Sequence, residues 1–185
     1  IAAGALSEVF GHMLRRDVSA SEPCAHPLCR AATFRLAAAY AGWLCNDSAA
    51  LDTAQKLLHF AIEGLAAPPA VAGRSLAPCA ASFVAQIGRD AGAQIAKNDQ
   101  LLDGLLGVLP QVLNATGQSD TAQQTGVLLI EGVARAVGFS DAGKLMGRLA
   151  VLVGPLSTQL RAATAAGDSA VPEAVRVLQL LRSTV

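Results

Sequence analysis

The stretch LDTAQKLLHFAIEGL, residues 51–65, is the clearest pattern in this chain. Its apolar residues recur at intervals of three and four, which is the spacing of one face of an α-helix. The polar turn Asn46-Asp-Ser48 comes just before it and supplies a residue that can cap a helix. The pattern therefore predicts an amphipathic helix over residues 49–66.

A second apolar pattern lies on the other side of this turn. It runs from Leu28 to Cys45, with Pro27 at its start, where proline is tolerated in a first helical turn. A connection of only a few residues forces two helices to run antiparallel. Together the two patterns predict a helical hairpin over residues 28–66.

This hairpin pattern repeats along the chain. First helices are predicted to begin near Leu28, Arg74 and Ser119. The repeat is therefore about 45 residues long, as in HEAT-type arrays. We predict one all-α unit over residues 1–185, an α-solenoid of antiparallel, HEAT- or armadillo-like hairpins stacked in a right-handed superhelix. Its parts are a partial hairpin (1–20), three hairpins (28–66, 74–114 and 119–165) and a truncated final helix (171–182).

Glycines and prolines predict where these helices bend or end. Gly88 and Gly92 weaken the helix that ends near residue 96, so a bend is expected there. Pro110 and Pro155 lie inside predicted helices and predict kinks. Residues 165–169, AAGDS, are expected to form a flexible linker.

Composition agrees with closely packed helices and excludes some classes of partner. Apolar residues make up 52% of the chain and aromatic residues only 4%. The 14 basic residues equal the 14 acidic ones, and no basic cluster is longer than Arg15-Arg16. This balance argues against direct binding to nucleic acid or to an anionic membrane. No hydrophobic run reaches the roughly 18 residues that a membrane span needs.

The residue types that carry chemistry are scattered. No histidine has a second histidine one helical turn away, and no Gly-x-Ser-x-Gly, phosphate-binding or dinucleotide-binding motif occurs. The cysteines lack the spacing of zinc ligand pairs and are expected to be reduced thiols. We therefore predict no catalytic, cofactor-binding or metal site, no cofactor and no enzymatic activity. The residues considered are His12, His26, His59, Cys24, Cys29, Cys45 and Cys79.

Tyr40 and Trp43 are the only Tyr and Trp, and their spacing places them on one helical face. Packing between repeats and a hot spot for a partner both fit this pair. The residues that contact partners stay unassigned by the sequence.

The order of these features resembles the nuclear transport receptors of the importin-β superfamily, in the importin-13 and transportin-3 (transportin-SR) branch. The resemblance covers about residues 28–182 and differs from the branch in two places. Gly42 stands where the branch has an acidic residue before Trp, and residues 87–90 lack its cysteines. The residues that carry the resemblance are AGWL (41–44), LLHFAIEGL (57–65), AASFVAQI (80–87), GVLLIEGVA (126–134) and VGPL (153–156).

The resemblance implies a karyopherin, a non-catalytic protein that carries protein cargo through nuclear pores under the control of Ran-GTP. Nucleoporins and the GTPase Ran would be further partners, and the protein would shuttle between cytoplasm and nucleus. The main Ran contacts of that family lie toward its N-terminal repeats, so none is transferred to a numbered residue here. The alternative is another HEAT-repeat scaffold: a phosphatase regulatory subunit, an adaptor or a chromosome-organising subunit. Because the chain opens inside a helical pattern at Ile1, we expect it to be a middle piece of a longer protein.

Overall fold

The computed structural model describes residues 5, 8–12, 27–47, 50–66, 76–115 and 119–182. Within these ranges the chain forms helices joined by short turns and contains no β-strand. The all-α prediction is therefore confirmed for the described residues. Most of the predicted partial hairpin, 1–20, and the connection that begins at residue 67 lie outside them.

The helices after residue 26 follow the predicted order. The bounds of α8 equal the predicted ones, and the hydroxyl of Ser119 caps α6 by accepting a hydrogen bond from the Ala122 N–H at 3.2 Å. In chain order the helices are α1 (Pro27–Ala39), α2 (Ala41–Asn46), α3 (Leu51–Ala66), α4 (Ala77–Ala96), α5 (Asp99–Ala115), α6 (Asp120–Gly138), α7 (Ala142–Ala165), a 3-10 helix (Gly167–Ala170) and α8 (Val171–Arg182).

Two breaks occur in the first helices of the hairpins. The predicted continuous helix over residues 28–45 is divided at Tyr40, where φ is −110° and ψ is 16°, and the short α2 packs against α4. In α4 the backbone leaves the helical region at Ala91, with φ −151° and ψ 33°. This bend lies between Gly88 and Gly92, where the sequence predicts it.

One other local prediction differs from the structure. Both α5 and α7 continue as single helices through Pro110 and Pro155, and the kinks predicted at these prolines stay predictions. The predicted linker after residue 165 is a 3-10 helix. Gly167 starts it with φ +71°, a left-handed conformation that glycine adopts without steric cost.

The helices contact their neighbours in hairpin order. The first helices form one row, in which α1 and α2 contact α4, α4 contacts α6, and α6 contacts α8. The second helices form another row, in which α3 contacts α5 and α5 contacts α7. Each second helix also contacts the first helix of the following hairpin. A continuous apolar core lies between the rows.

The most extensive of these contacts joins α4 to α6. A Cβ atom placed on Gly88 would lie 2.4 Å from the carbonyl oxygen of Gly132. A Cβ atom on Gly132 would lie 2.5 Å from the carbonyl oxygen of Val84. The two backbones therefore touch, and no residue with a side chain fits at either glycine without a shift of the helices.

Aromatic residues fill the first hairpin and its junction with α4. The ring of Phe34 lies 5.1 Å from that of Phe60 and 6.4 Å from that of Phe83, measured between centroids. Trp43 is half-buried and packs against the core, whereas Tyr40 is 39% exposed. Trp43 therefore lies at the edge of the core, and Tyr40 stays on the surface.

Candidate functional site

A groove of about 390 Å³ lies between the first half of α3 and the turn that joins α4 to α5. The α3 residues that line it are spaced as one helical face, so the amphipathic pattern of this helix forms one wall. The end of α4, the turn and the start of α5 form the other. The α3 wall consists of Leu51, Ala54, Gln55 and Leu58, and the opposite wall of residues 94–95 and 97–101.

The floor of the groove is aliphatic. Leu58, Ile95 and Leu101 are buried there and belong to the continuous core, while Leu51 is half-buried at the edge. Because the floor is part of the core, its shape is held by the packing of α3, α4 and α5. An apolar side chain placed in the groove would contact a surface that is already formed.

Side-chain amides form the rim. The side-chain Oε1 of Gln94 accepts a hydrogen bond from the Lys97 ammonium at 3.3 Å. The side-chain Oδ1 of Asn98 accepts one from the Leu101 N–H at 3.3 Å. The amide groups of Gln55 and Gln100 form no hydrogen bond to the residues that the structure describes. The rim therefore has donors and acceptors that remain available to a ligand.

Four charged side chains lie next to the groove and join α5 to α7. Arg148 is only 8% exposed and donates from Nη2 to Asp99 at 2.7 Å and to Asp103 at 3.1 Å. Its Nη1 donates to the hydroxyl of Ser140 at 3.0 Å, and its Nε donates to Asp103 at 3.2 Å. Lys144 donates to the other carboxylate oxygen of Asp99. We call these five residues the Arg148 cluster.

The pKa shifts of Asp99 and Arg148 favour the charged form of each group. Hydrogen bonds from Lys144 and then Arg148 lower the pKa of Asp99. Burial lowers the pKa of Arg148, but the hydrogen bonds to Asp99 and Asp103 outweigh burial and raise that pKa overall. Neither group is poised to exchange a proton near pH 7, so the arrangement suits structural ion pairing rather than acid–base catalysis.

Asp99 lines the groove but contributes little free negative charge to it, because Arg148 and Lys144 each hold one of its oxygens. Lys97 differs from Asp99, since its only described partner is the neutral amide of Gln94. Among the described residues that line the groove, Lys97 is the charged side chain without an ion-pair partner. The groove therefore favours a negative charge on its ligand.

Other chemistry-bearing residues are not gathered into a site in the described ranges. His12 and His59 are exposed, Cys29 is an exposed free thiol and Cys79 a half-buried one. No group of three His, Cys, Asp or Glu side chains that could hold a metal ion occurs there. Cys24 and His26 lie outside the described residues. The prediction of no catalytic, cofactor or metal site stays a prediction.

The sequence contained a signal for the Arg148 cluster that pattern reading did not use. Asp99 and Asp103 lie one helical turn apart, and so do Lys144 and Arg148. The two pairs are of opposite charge, and 45 residues separate Asp99 from Lys144 and Asp103 from Arg148. This spacing equals the predicted repeat. No such signal marks the groove, whose walls come from two hairpins.

None of the helices in the described ranges is both long and apolar enough to cross a membrane. The chain matches no known family model, no curated protein and no solved structure. The resemblance to transport receptors therefore rests on the sequence segments that carry it, between residues 41 and 156.

Proposed function

We propose that this chain is a non-catalytic protein-binding scaffold, built as an α-solenoid of HEAT- or armadillo-like hairpins in a right-handed stack. The supporting observation is a repeated offset between contacting residues of consecutive hairpins. Lys144 with Asp99, and Arg148 with Asp103, join residues 45 apart. The amide of Gln111 donates to the carbonyl of Ala66, which is again 45 residues away. Equivalent positions in successive units therefore meet, as stacking requires.

This arrangement supports a role in binding rather than in chemistry. Units that contact mainly their neighbours leave long rows of helix ends and turns at the surface, and such surfaces suit other proteins. One such turn, between α4 and α5, lines a pre-formed groove with an aliphatic floor and an amide rim. The charged groups beside it are paired with one another. They act on helix packing and not on a substrate.

The specific form of the proposal is a karyopherin that carries protein cargo through nuclear pores, with Ran and nucleoporins as partners and a location in both cytoplasm and nucleus. It rests on the order of the Trp43 helix, the helix over residues 57–65 and the Pro155 segment. Small shifts between stacked hairpins would change the pitch of the superhelix. Ran-GTP and cargo would be coupled through that shape.

Binding of Ran to the full-length protein tests the karyopherin proposal. Biolayer interferometry would compare Ran loaded with a non-hydrolysable GTP analogue with Ran loaded with GDP. We expect clear binding of the GTP form and much weaker binding of the GDP form. Equal binding, or none to either form, would overturn the transport role and leave another HEAT-repeat scaffold in its place.

Hydrogen exchange tests the solenoid itself. In a stack held by nearest-neighbour contacts, units that lack a neighbour open at lower free energy than units with two. On this chain we expect amides of α4 and α6 to be more protected than those of α1 and α8, as read by mass spectrometry. Uniform protection of all four helices would contradict a solenoid, since a domain that opens only globally exchanges that way.

A further inference from the structure

We infer that the groove between α3 and the α4–α5 turn binds an extended peptide segment of a partner protein, one with an aliphatic side chain next to an acidic residue. This names the partner chemistry of the proposed scaffold and rests on its protein-binding role. Three properties of the groove carry the inference: the amides of its rim, the aliphatic floor and the charge of Lys97.

The amide rim favours an extended backbone. An Asn or Gln side chain offers a donor and an acceptor together, which are the groups that a peptide unit presents. In a helical ligand these backbone groups are already paired with one another, so Gln55 and Gln100 would gain little. An extended segment leaves its N–H and C=O groups free. It can therefore bond to both amides, which lack partners among the described residues.

The floor selects an aliphatic side chain. Leu58, Ile95 and Leu101 are 1–3% exposed and present only their edges to the groove. The volume of about 390 Å³ lies near the lower end of the range for ligand pockets, about 300–1,000 Å³. It has room for a few peptide residues and not for the face of a large domain.

The charge beside the floor selects an acidic neighbour. Both oxygens of Asp99 are held by Arg148 and Lys144, so the field that a ligand meets is dominated by Lys97. A carboxylate on the ligand would replace the neutral Gln94 amide as the partner of this ammonium. Charge-assisted hydrogen bonds are roughly twice as strong as neutral ones.

A peptide selection on the full-length protein tests the inference. A displayed library of random peptides is panned on the folded protein, and the affinity of enriched peptides is measured by fluorescence anisotropy. We expect enriched sequences with an aliphatic residue beside Asp or Glu. The substitution Lys97→Glu should weaken binding by about tenfold, because it removes one ion pair and places two carboxylates side by side. Replacing the peptide's acidic residue by Lys should weaken binding to the wild type and restore binding to Lys97→Glu.

Two further variants sharpen the test. The double substitution Gln55→Ala with Gln100→Ala should weaken binding by about fivefold, because two exposed amides are lost. Lys56→Glu is the matched control, because this substitution makes the same change of charge. Lys56 lies on α3, pairs with Asp52 and does not line the groove. Its affinity should stay within about twofold of the wild type. Thermal melting would confirm that each variant is folded.

Several results would overturn the inference. They are a library that yields no binder, enriched peptides that are basic, equal weakening by Lys97→Glu and Lys56→Glu, and self-association of the chain through this groove. These outcomes are separable from failure of the karyopherin proposal. If the protein prefers Ran-GTP but peptide affinity does not depend on Lys97, only the inference about the groove is overturned. If the protein does not discriminate between the Ran forms but peptide affinity depends on Lys97, only the karyopherin proposal is overturned.

Discussion

Two of the contacts that join the second and third hairpins are of different physical kinds. On the side of the first helices, α4 and α6 touch backbone to backbone at Gly88 and Gly132. On the side of the second helices, α5 and α7 share a much smaller contact, and long side chains of the Arg148 cluster span it. The glycine contact depends on the absence of side chains, whereas the charged contact depends on their presence.

This difference shows how one junction responds to substitution. Closely packed backbones leave no free space between them, so even one added methyl group must displace a helix. An ion pair tolerates small displacements because long side chains can change conformation. Removing one partner, however, leaves the remaining groups without their hydrogen bonds. The glycine contact should therefore be the more sensitive of the two, and four predictions test that ranking.

The largest effect is expected for Gly132→Ala. Its Cβ would lie 2.5 Å from the backbone of α4, so the helices must separate and lose packing. We expect a loss of about 3 kcal/mol in the free energy of unfolding, measured by urea denaturation. Gly107→Ala on α5 is the control, because nothing lies within 4 Å of its added Cβ and the residue is exposed. It should stabilise the protein by about 0.5–1 kcal/mol. Equal stability of Gly132→Ala and the wild type would contradict direct backbone contact.

The next effect concerns the centre of the charged contact. Arg148→Ala removes a nearly buried guanidinium that donates to Asp99, Asp103 and Ser140. We expect a loss of about 2 kcal/mol in the free energy of unfolding, with a reduction in the melting temperature. Arg161→Ala, an exposed arginine on the same helix, should change stability by less than about 0.5 kcal/mol. Similar losses for the two variants would mean that the cluster does not hold α5 and α7 together.

A smaller effect is expected at the edge of the glycine contact. Arg89 donates to Glu131 at 3.0 Å across α4 and α6, but its side chain is 39% exposed. The hydrogen bond to Glu131 raises the pKa of Arg89, and solvent screens the pair. Arg89→Ala should cost about 0.5 kcal/mol, and the cost should shrink further at high salt. A loss as large as that of Arg148→Ala would show that exposed charge, and not the glycines, holds these helices.

The last prediction concerns pH. The pKa of Asp99 is lower in the folded protein than its ordinary value of 3.8, chiefly because of the hydrogen bond from Lys144. The contribution of Asp99 to stability is therefore complete above pH 3.8 and is lost as the pH falls through the lower folded pKa. Urea denaturation across this range should show the wild type more stable than Asp99→Asn at neutral pH, with a difference that disappears in acid. A difference independent of pH would contradict the ion pairing of Asp99.

Local patterns predicted much of the helical framework. The intervals of three and four in residues 51–65 predicted α3, and a helix was predicted to begin near Ser119, the residue that caps α6. Gly88 with Gly92 predicted the bend that the structure places at Ala91. These features depend on residues within one or two helical turns, so a linear pattern contains them. The break at Tyr40 was not predicted, because it accompanies the packing of α2 against α4, a helix that belongs to the next hairpin.

The candidate site could not be predicted in the same way. The groove needs Gln55 and Lys97, from two hairpins, to line the same space. Arg148 becomes buried only when α7 lies beside α5. Those placements depend on how helices cross. The crossing is set at α4 and α6 by the two glycines that let their backbones touch.

The sequence by itself determined where most of the helices form, and it predicted an offset of about 45 residues between hairpins, because periodicity, caps and short turns act locally. The tertiary structure alone decided which faces meet. It made Gly88 and Gly132 a contact, neutralised Asp99 through Arg148 and Lys144, and left Lys97 as the unpaired charge among the described lining residues of the groove. The physical reason is that burial and ion pairing depend on distances between helices, which residues far apart in the chain set together.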